Sequence, residues 1–277
     1  MPLRQRLFLD QRNQHFHGFL AEHFGARFLG VVEMTENGHQ RYEQEVLAAP
    51  VISVARSPLK QAEDIQIGLS VVYSAESLAR TLRRTFNVCQ AALFGYGKVG
   101  RSIARELRCR NLHLELVETD ALRQVEALSH GFKLVNKAEA LGRAELVICS
   151  TGNGSLDITD LQALRPGAML ASVTSADDEF AFCLSQLPWP SEEVCPHVLA
   201  LTRPDGSTIF LLNRGEAVNF VHGAVIGEYV YLVLAEIIEG VHQLAGQAPA
   251  AGLLELPQAT MQRIARHWLT DFHGVIA

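Results

Sequence analysis

Three glycines, Gly95, Gly97 and Gly100, follow a short apolar segment at residues 91–94 and precede a helical pattern. This order of strand, G-x-G-x-x-G turn and helix is typical of dinucleotide-binding loops. Gly95 permits a tight turn, Gly97 lets backbone approach a pyrophosphate, and Gly100 allows the helix to pack closely on the strand. The helix N-terminus offers unpaired N–H groups and a partial positive charge to phosphates. The segment therefore predicts a dinucleotide site.

An acidic residue follows the next predicted strand, which spans residues 112–117 and ends at Glu118. The dinucleotide motif expects an acid about 20 residues beyond the glycines, where it accepts hydrogen bonds from ribose hydroxyls. A carboxylate there repels a 2′-phosphate by about 1 kcal/mol in water and about 4 kcal/mol near a protein surface. Glu118 therefore favours NAD over NADP as the cofactor.

A lysine and an aspartate, Lys60 and Asp64, are four residues apart in a helix that Ser57 and Pro58 are expected to begin. Both side chains then project from one face of that helix. An exposed pair of this kind contributes only a few tenths of a kcal/mol, and spacing alone favours that interpretation. The alternative is a pair that does chemistry.

Predicted strands and helices alternate from residue 91 onwards, with further strands at 132–135, 145–149 and 168–173. Alternation of this length predicts an α/β fold with a doubly wound parallel sheet, a Rossmann-like NAD-binding domain. Ligands of such sheets bind beyond the carboxyl ends of the strands. The loop at residues 151–154 follows a strand at that edge, and its glycines allow it to lie against a cofactor.

The flanking segments predict an N-terminal α/β extension and C-terminal helices. The predicted boundaries place the N-terminal segment at residues 1–74, the NAD-binding domain at 75–215 and the C-terminal helices at 216–277. Upstream we expect a helix, a strand, a loop and a strand, and then two successive helices. These segments are residues 3–24, 27–33, 34–38 and 50–54, a helix from Pro58, and a helix from 75 to about 86. Downstream we expect a hairpin of strands 198–202 and 208–212, a long helix from about Val225, and a helix at 257–268.

The composition excludes several classes of protein. The 277 residues have a net charge of -6, which argues against a nucleic-acid partner because phosphate binding needs a basic face. The most apolar window, about 221–241, holds three glutamates and is too polar to cross a membrane. Five cysteines without a C-x-x-C pair and no signal-peptide core indicate a cytoplasmic protein without a structural metal. His15 and His17 flank Phe16 without a surrounding ligand cluster, so we interpret them as ordinary histidines.

Several motifs together resemble the S-adenosylhomocysteine hydrolase (adenosylhomocysteinase) family, from about residue 30 to 240. The loop from Gly95 through Lys98 and Val99 to Gly100 is similar to that family's glycine loop. Residues 150–153 resemble its Thr-Thr-Gly-Asn loop, and residues 211–219 resemble Leu-Leu-Ala-Glu-Gly-Arg-Leu-Val-Asn. Residues 30–38 are similar to its Gly-Val-x-Glu-Glu-Thr-Thr-Thr-Gly segment.

The resemblance implies roles for individual residues. Lys60 and Asp64 match the family's lysine and aspartate beside the substrate ribose and the nicotinamide. Lys60 would then help to remove a hydroxyl proton, and a lysine can do so near neutral pH where burial or a cationic neighbour lowers its pKa. Asp64 would hydrogen-bond a neighbouring hydroxyl or orient the lysine. The resemblance also implies cofactor contacts from the loop residues Thr35, Asn37, Thr151, Gly152, Asn153 and Asn219.

The chain also departs from the family pattern. Met34 replaces the second glutamate of the Glu-Glu-Thr segment, and residues 172–175 replace the Asn-x-Gly-His segment, so its histidine is absent. His222 is a candidate replacement for the histidine of the Gly-His-Pro loop, or a helix-capping or buried histidine. Most of the family's substrate domain has no counterpart before residue 30.

With these departures the chain keeps residues for the oxidation and reduction steps of hydrolysis. It lacks those for proton abstraction, elimination and water addition. We expect an NAD-dependent oxidoreductase that acts on an alcohol of a nucleoside- or sugar-like small molecule, and an inefficient adenosylhomocysteine hydrolase. The alternatives are a non-catalytic NAD-binding regulatory paralogue and a subunit completed by a separate substrate-domain chain. The family resemblance and the apolar C-terminal segments predict a homo-oligomer.

Overall fold

The structure is a computed structural model that describes residues 16–87, 89–174, 179–180, 187–247 and 249–275. The chain forms two compact units, which are described separately. Unit 1 combines Met1–Glu63 with Gly227–Ala277, and unit 2 is Asp64–Ile226. The functional boundaries predicted at residues 74/75 and 215/216 stay a prediction. The first part of the predicted helix 3–24, His15 and Cys183 lie outside the described residues.

Unit 2 contains an eight-stranded sheet that confirms the predicted fold class. Its strands, in chain order, are β3 (Gln90–Phe94), β4 (His113–Val117), β5 (Lys133–Leu134), β6 (Leu146–Cys149), β7 (Met169–Ser172), β8 (Ser191–Cys195), β9 (Val198–Thr202) and β10 (Thr208–Leu212). The spatial order is β5-β4-β3-β6-β7-β10-β9-β8. Neighbouring strands from β5 to β10 in this order are parallel. Strand β9 is antiparallel to both of its neighbours, β10 and β8.

Both faces of this sheet are buried, as a doubly wound sheet requires. Alternate residues of β3 belong to two separate apolar clusters, with Ala91 and Leu93 in one and Ala92 and Phe94 in the other. The helices of unit 2 outside the long helix described below are α4 (Lys98–Cys109), α5 (Ala121–Ser129), α6 (Lys137–Arg143) and α7 (Ile158–Ala163). Asp120 caps α5, as its sequence position suggests, by accepting from the backbone N–H groups of Leu122 and Arg123.

Unit 1 contains a small parallel sheet in the order β1-β2-β11. Its strands are β1 (Val31–Glu33), β2 (Pro50–Ser53) and β11 (Gly252–Leu254), and its helices are α1 (Phe16–Phe24), α2 (Glu36–Glu43), α8 (Val230–Gln247) and α9 (Gln258–His273). Gly240 lets α8 approach this sheet closely, since a Cβ there would lie 3.0 Å from Val32 and 3.5 Å from Ile52. Within the described part of the chain, no helix is long and apolar enough to cross a membrane.

Two predictions about local structure are wrong. The two helices expected between Pro58 and Phe86 form one helix, α3 (Pro58–Thr81), which belongs to unit 1 at its start and to unit 2 from Asp64 on. No proline interrupts it, and Gly68 is accommodated because Ser102 packs where its side chain would lie. A loop was expected at 34–38, but α2 already begins at Glu36. Thr35 caps this helix by accepting a hydrogen bond from Gly38 N at 3.0 Å.

Candidate functional site: a dinucleotide crevice and a buried lysine cluster

The glycine loop of unit 2 has the geometry that its sequence predicts. Gly95 has φ +92°, and a side chain at Gly100 would overlap the carbonyl oxygen of Gly95. A Cβ at Gly97 would meet only Arg123 Nη1, at 3.8 Å, so the space above this residue is open. Gly97 is also the N-cap of α4 and provides no side-chain cap, and a helix N-terminus of this kind favours an anionic ligand.

Tyr96 anchors this loop in the core of unit 2. Its side chain is 1% exposed, its hydroxyl lies 2.8 Å from His130 Nδ1, and its ring contacts Phe132 edge-on with centroids 5.7 Å apart. Burial raises the pKa of the Tyr96 hydroxyl. The loop is therefore held by a side chain that points away from the open side of Gly97.

Glu118 lies one residue beyond β4 and is tied to the glycine loop. One carboxylate oxygen accepts from Tyr96 N at 2.6 Å, and the other accepts from Thr119 N at 2.7 Å and Asp120 N at 2.9 Å. These three donors fix the orientation of the carboxylate at the edge where an adenosine ribose binds in this fold.

A second loop contacts the first at the point where the strand order reverses, between β3 and β6. Ser150, just after β6, donates its hydroxyl to the carbonyl oxygens of Phe94 and Gly95 at 3.0 and 3.2 Å. Dinucleotides bind at such reversal points, outside the carboxyl ends of the strands. Two of the predicted loops, 95–100 and 150–153, are thus brought together.

The carboxylate of Glu179 holds this second loop, and sequence reasoning missed it. Glu179 has no solvent exposure. It accepts from Thr151 N at 3.0 Å, Thr151 Oγ1 at 2.8 Å, Gly152 N at 2.8 Å, Ser155 Oγ at 2.6 Å and Thr174 Oγ1 at 3.0 Å. In the sequence Glu179 ends a run of three acids, a pattern typical of a solvated surface, so nothing marks it as buried.

This carboxylate changes the interpretation of the predicted loop contacts. The hydroxyl of Thr151 and the N–H groups of Thr151 and Gly152 are directed at Glu179, while Asn153 remains exposed at the edge. Burial, and then the negative charge of Glu179, raise the pKa of the neighbouring Cys149 thiol well above its ordinary value. The loop is therefore positioned from beneath by a protein carboxylate.

Asn219 supplies an unsatisfied polar atom in the same unit. Ala217 forms a parallel bridge with Ser172 at the end of β7, and Asn219 follows two residues later. The side chain of Asn219 is buried, and its Oδ1 has no hydrogen-bond partner among the described residues. A buried amide oxygen without a partner is costly unless a ligand satisfies it. This orphan atom and the open space above Gly97 both fit a bound dinucleotide.

Lys60 and Asp64 are buried, which the surface-pair interpretation does not allow. Lys60 is 9% exposed and Asp64 is 6% exposed. Lys60 Nζ donates to a carboxylate oxygen of Glu63, a residue that the i, i+4 spacing did not indicate. Ser57 begins the helix by accepting from the N–H groups of Leu59 and Lys60, each at 3.1 Å.

A second carboxyl group, Glu236 of α8, lies beside this helix start in unit 1. Ser57 Oγ donates to Glu236 Oε2 at 2.8 Å, across a separation of 179 residues in the sequence. Glu236 has no solvent exposure, and its Oε1 has no hydrogen-bond partner among the described residues. Burial raises the pKa of Glu236 to about 7, against the opposing effects of the Ser57 hydrogen bond and the positive charge of Lys60.

The remaining predicted residues serve their own elements. Thr35, in unit 1, donates its hydroxyl to Glu33 Oε1 at 2.7 Å and caps α2, which Asn37 enters in its first turn. His222, in unit 2, lies between two hydroxyls of α3, with Nδ1 3.0 Å from Ser74 Oγ and Nε2 3.3 Å from Ser77 Oγ. In the part of the chain that the structure describes, no group of three His, Cys, Asp or Glu residues is arranged to hold a metal ion.

The sheet order, the glycine loop and the acid that follows β4 define unit 2 as a dinucleotide-binding domain of the doubly wound class. Residues 71–225 match the family model for the S-adenosyl-L-homocysteine hydrolase NAD binding domain, which covers more than half of the chain. The chain therefore belongs to that family, and NAD is its cofactor.

Individual relatives agree with this assignment. The chain is 31% identical over 204 residues to adenosylhomocysteinase from Thermotoga maritima, a match that covers 70% of this chain and 49% of that protein. The chain thus spans about half the length of this curated relative.

Two solved structures are also similar. Dipicolinate synthase A chain from Bacillus subtilis has a TM-score of 0.46 at 13% identity, covering 74% of this chain and 69% of that one. Phosphoglycerate oxidoreductase from Vibrio cholerae O395 has a TM-score of 0.42 at 18% identity, covering 59% and 65%.

Proposed function

We propose that the protein is an NAD-dependent oxidoreductase that acts on an alcohol group of a nucleoside- or sugar-like small molecule. The observation that supports this proposal is the buried Lys60, on one helix with the buried Asp64, in a chain whose unit 2 has the NAD crevice. Side chains that are costly to bury are retained in functional sites more often than elsewhere.

Lys60 and Asp64 have separate roles in this proposal. Bound NAD supplies the hydride acceptor. Lys60 Nζ takes the proton of the substrate hydroxyl, which requires that the amine has first released its own proton. Asp64 accepts a hydrogen bond from a neighbouring hydroxyl and so orients the substrate. Glu63 holds the lysine side chain in place through their hydrogen bond.

We also propose that the protein is an inefficient adenosylhomocysteine hydrolase. Two departures from the family pattern support this proposal, and the resemblance assigns the first of the two positions to a substrate contact. Met34 places a 44% exposed thioether where the family pattern has a glutamate, and Ser172–Ser175 has no histidine. Elimination and water addition need acid and base groups that these residues cannot supply.

A regulatory role is the second candidate, and the hydrogen bond between Lys60 and Glu63 favours it. The hydrogen bond to Glu63 occupies the amine that would otherwise contact a substrate hydroxyl. A protein with NAD permanently bound and no turnover would then act through a partner protein.

We further propose that the protein is a cytoplasmic homo-oligomer. Four apolar side chains on one face of α8 support self-association, since each is 45% or more exposed: Tyr231, Leu234, Ile238 and Val241.

The two candidate functions differ in one measurement. Hydride transfer to bound NAD produces the near-ultraviolet absorbance of NADH when alcohols of the nucleoside and sugar classes are added. We expect turnover with at least one class, and we expect Lys60→Met to abolish that turnover while NAD binding persists. A silent wild type across the panel, with NAD tightly bound, would favour the regulator.

Matched variants separate the proposed catalytic role of Lys60 from its contribution to the stability of the fold. Lys133→Met removes a 64% exposed lysine that pairs with Glu115, and it should leave turnover unchanged. The double variant Lys60→Met/Glu63→Gln removes both charges of the buried pair, so its fold is protected from an unpaired carboxylate. Full turnover in either Lys60 variant would refute the assignment.

A further inference from the structure

Buried carboxylates are usually stabilised by several hydrogen-bond donors or by a bonded cation, and among the described residues Glu236 has one donor and no ion-pair partner. It makes one hydrogen bond, from Ser57 Oγ, and its second oxygen is buried without a partner among the described residues. A fully buried carboxyl group with one donor is neutral or strongly coupled to a nearby cation. The positive charge of Lys60 acts on this carboxyl group.

The elements packed against α8 bring both apolar and charged side chains to unit 1. β1 and β2 present Val32 and Ile52 to the helix at Gly240. Several charged residues of these elements and of the segment before Ser57 have partners of their own. These are Glu63 with Lys60, Glu33 with Thr35, Arg56 with Glu36 and Glu43, Arg263 with Glu239 at 2.7 Å, and His273 with Glu228 at 3.9 Å. His267 and Asp271 of α9 line a pocket of about 290 Å³ with Ile238 and Glu239 of α8.

We propose that Glu236 is a positioning residue for Lys60, and that its gain and loss of a proton control how firmly the ammonium group of Lys60 is held. When Glu236 carries a proton, it adds no negative charge to that of Glu63, which is hydrogen-bonded to Lys60. When Glu236 has released the proton to solvent, a second negative charge attracts the ammonium group and holds it more firmly. Ser57 joins the two residues, because its hydroxyl donates to Glu236 while its oxygen accepts from Lys60 N.

The catalytic consequence of this coupling rests on the proposed function. A base must be free of its proton before it accepts one from the substrate. Ionised Glu236 therefore restrains oxidation and protonated Glu236 relieves that restraint, so the pair adds one ionisation near neutral pH to the profile of kcat. The coupling itself requires neither substrate nor cofactor.

The test uses the full chain without ligand and follows the Cε resonance of Lys60 by NMR in protein labelled with [13C]lysine. The sequence contains only the lysines Lys60, Lys98, Lys133 and Lys137, and Lys60→Met assigns the resonance of interest. We expect a step in the Lys60 resonance with its midpoint at about pH 7, where Glu236 titrates. Glu236→Gln should abolish this step and keep the hydrogen bond with Ser57, since the Gln side-chain oxygen also accepts.

Glu239→Gln is the matched control, because it makes the same substitution one turn along α8 at a residue bonded to Arg263. It should retain the step. Ser57→Ala serves as the second variant and should move the midpoint to higher pH. A wild-type resonance without the step, or a step that persists in Glu236→Gln, would overturn the proposal. Either result leaves the proposed oxidoreductase activity to be decided separately by turnover.

In turnover, a purely structural Glu236 would change kcat at all pH values alike. The coupling predicts instead that Glu236→Gln removes one ionisation from the kcat profile and leaves KM unchanged, while Glu239→Gln keeps the wild-type profile. Identical profiles for the wild type and Glu236→Gln would contradict the catalytic consequence.

Discussion

Glu179 and Glu236 are both completely buried, yet their surroundings are opposite. The first accepts hydrogen bonds at both oxygens from backbone and hydroxyl donors of its own unit. The second accepts one hydrogen bond, and its pKa is raised to about 7. Donors stabilise a buried charge and their scarcity favours the proton, so burial alone does not decide what a carboxyl group does.

The difference matches the tasks of the two regions. Glu179 lies under the loop at residues 151–154, where its carboxyl group keeps Thr151 and Gly152 in one arrangement. Glu236 lies beside Lys60, where a group that exchanges protons can change the state of a neighbour. The crevice is thus preorganised, and the lysine cluster is responsive.

The largest expected effect tests the donor-rich side of this comparison. Glu179→Gln replaces one carboxylate oxygen by an NH2 group. This group cannot accept hydrogen bonds, so the N–H and O–H donors that face that position lose their acceptor. We expect a loss of about 4 kcal/mol in the free energy of unfolding, because each buried donor without an acceptor costs about 1–3 kcal/mol. Urea denaturation measures the loss. Glu192→Gln, on an exposed residue of β8, should be neutral, and equal effects of the two substitutions would break the comparison.

The next effect tests the donor-poor side through the pH dependence of stability. Because the folded pKa of Glu236 lies above its ordinary value of 4.5, the folded state binds more protons between pH 4.5 and about 7. Its stabilising contribution is complete below pH 4.5 and is lost as the pH rises to about 7. The loss amounts to about 3 kcal/mol.

Glu236→Gln should remove this pH dependence. The stability of the variant relative to the wild type should therefore increase as the pH rises from 4.5 to about 7. Urea denaturation at several pH values measures the difference between the two proteins. A difference that is independent of pH would show that Glu236 titrates as an ordinary carboxyl group.

The smallest effect sharpens the comparison by removing the single donor. Ser57→Ala should cost about 1 kcal/mol through the lost cap of α3. The same change should raise the midpoint of the stability slope, since the hydroxyl stabilises the ionised form of Glu236. The double variant Ser57→Ala/Glu236→Gln should show the cap loss without any slope. An unchanged midpoint in Ser57→Ala would mean that the hydrogen bond does not act on the ionisation.

The dinucleotide crevice was largely predictable because its requirements are local. A positive φ at Gly95 and the absence of room at Gly100 are properties of one turn, and the sequence spacing shows them directly. Glu118 was predictable for the same reason, since it lies at the end of the adjacent strand. Where local signals were ambiguous, as at residues 34–38, the cap formed by Thr35 decided for a helix.

The lysine cluster was predictable only in part. Spacing placed Lys60 and Asp64 on one helix face, but it favoured an exposed pair, and both residues are buried. Glu63 was not predicted, because the argument from spacing considered only Asp64 at i+4 and not Glu63 at i+3. Family resemblance suggested that the pair matters, while the burial came from packing.

By itself, the sequence determined the alternating strands, the glycine turn and the acid that follows it, because each depends on neighbours within a few residues. Only the tertiary structure decided that Glu236 meets Ser57 from 179 positions away and that Glu179 lies beneath the loop at residues 151–154. The physical reason is that desolvation and donor supply, which set the behaviour of a buried charge, come from residues distant in the chain.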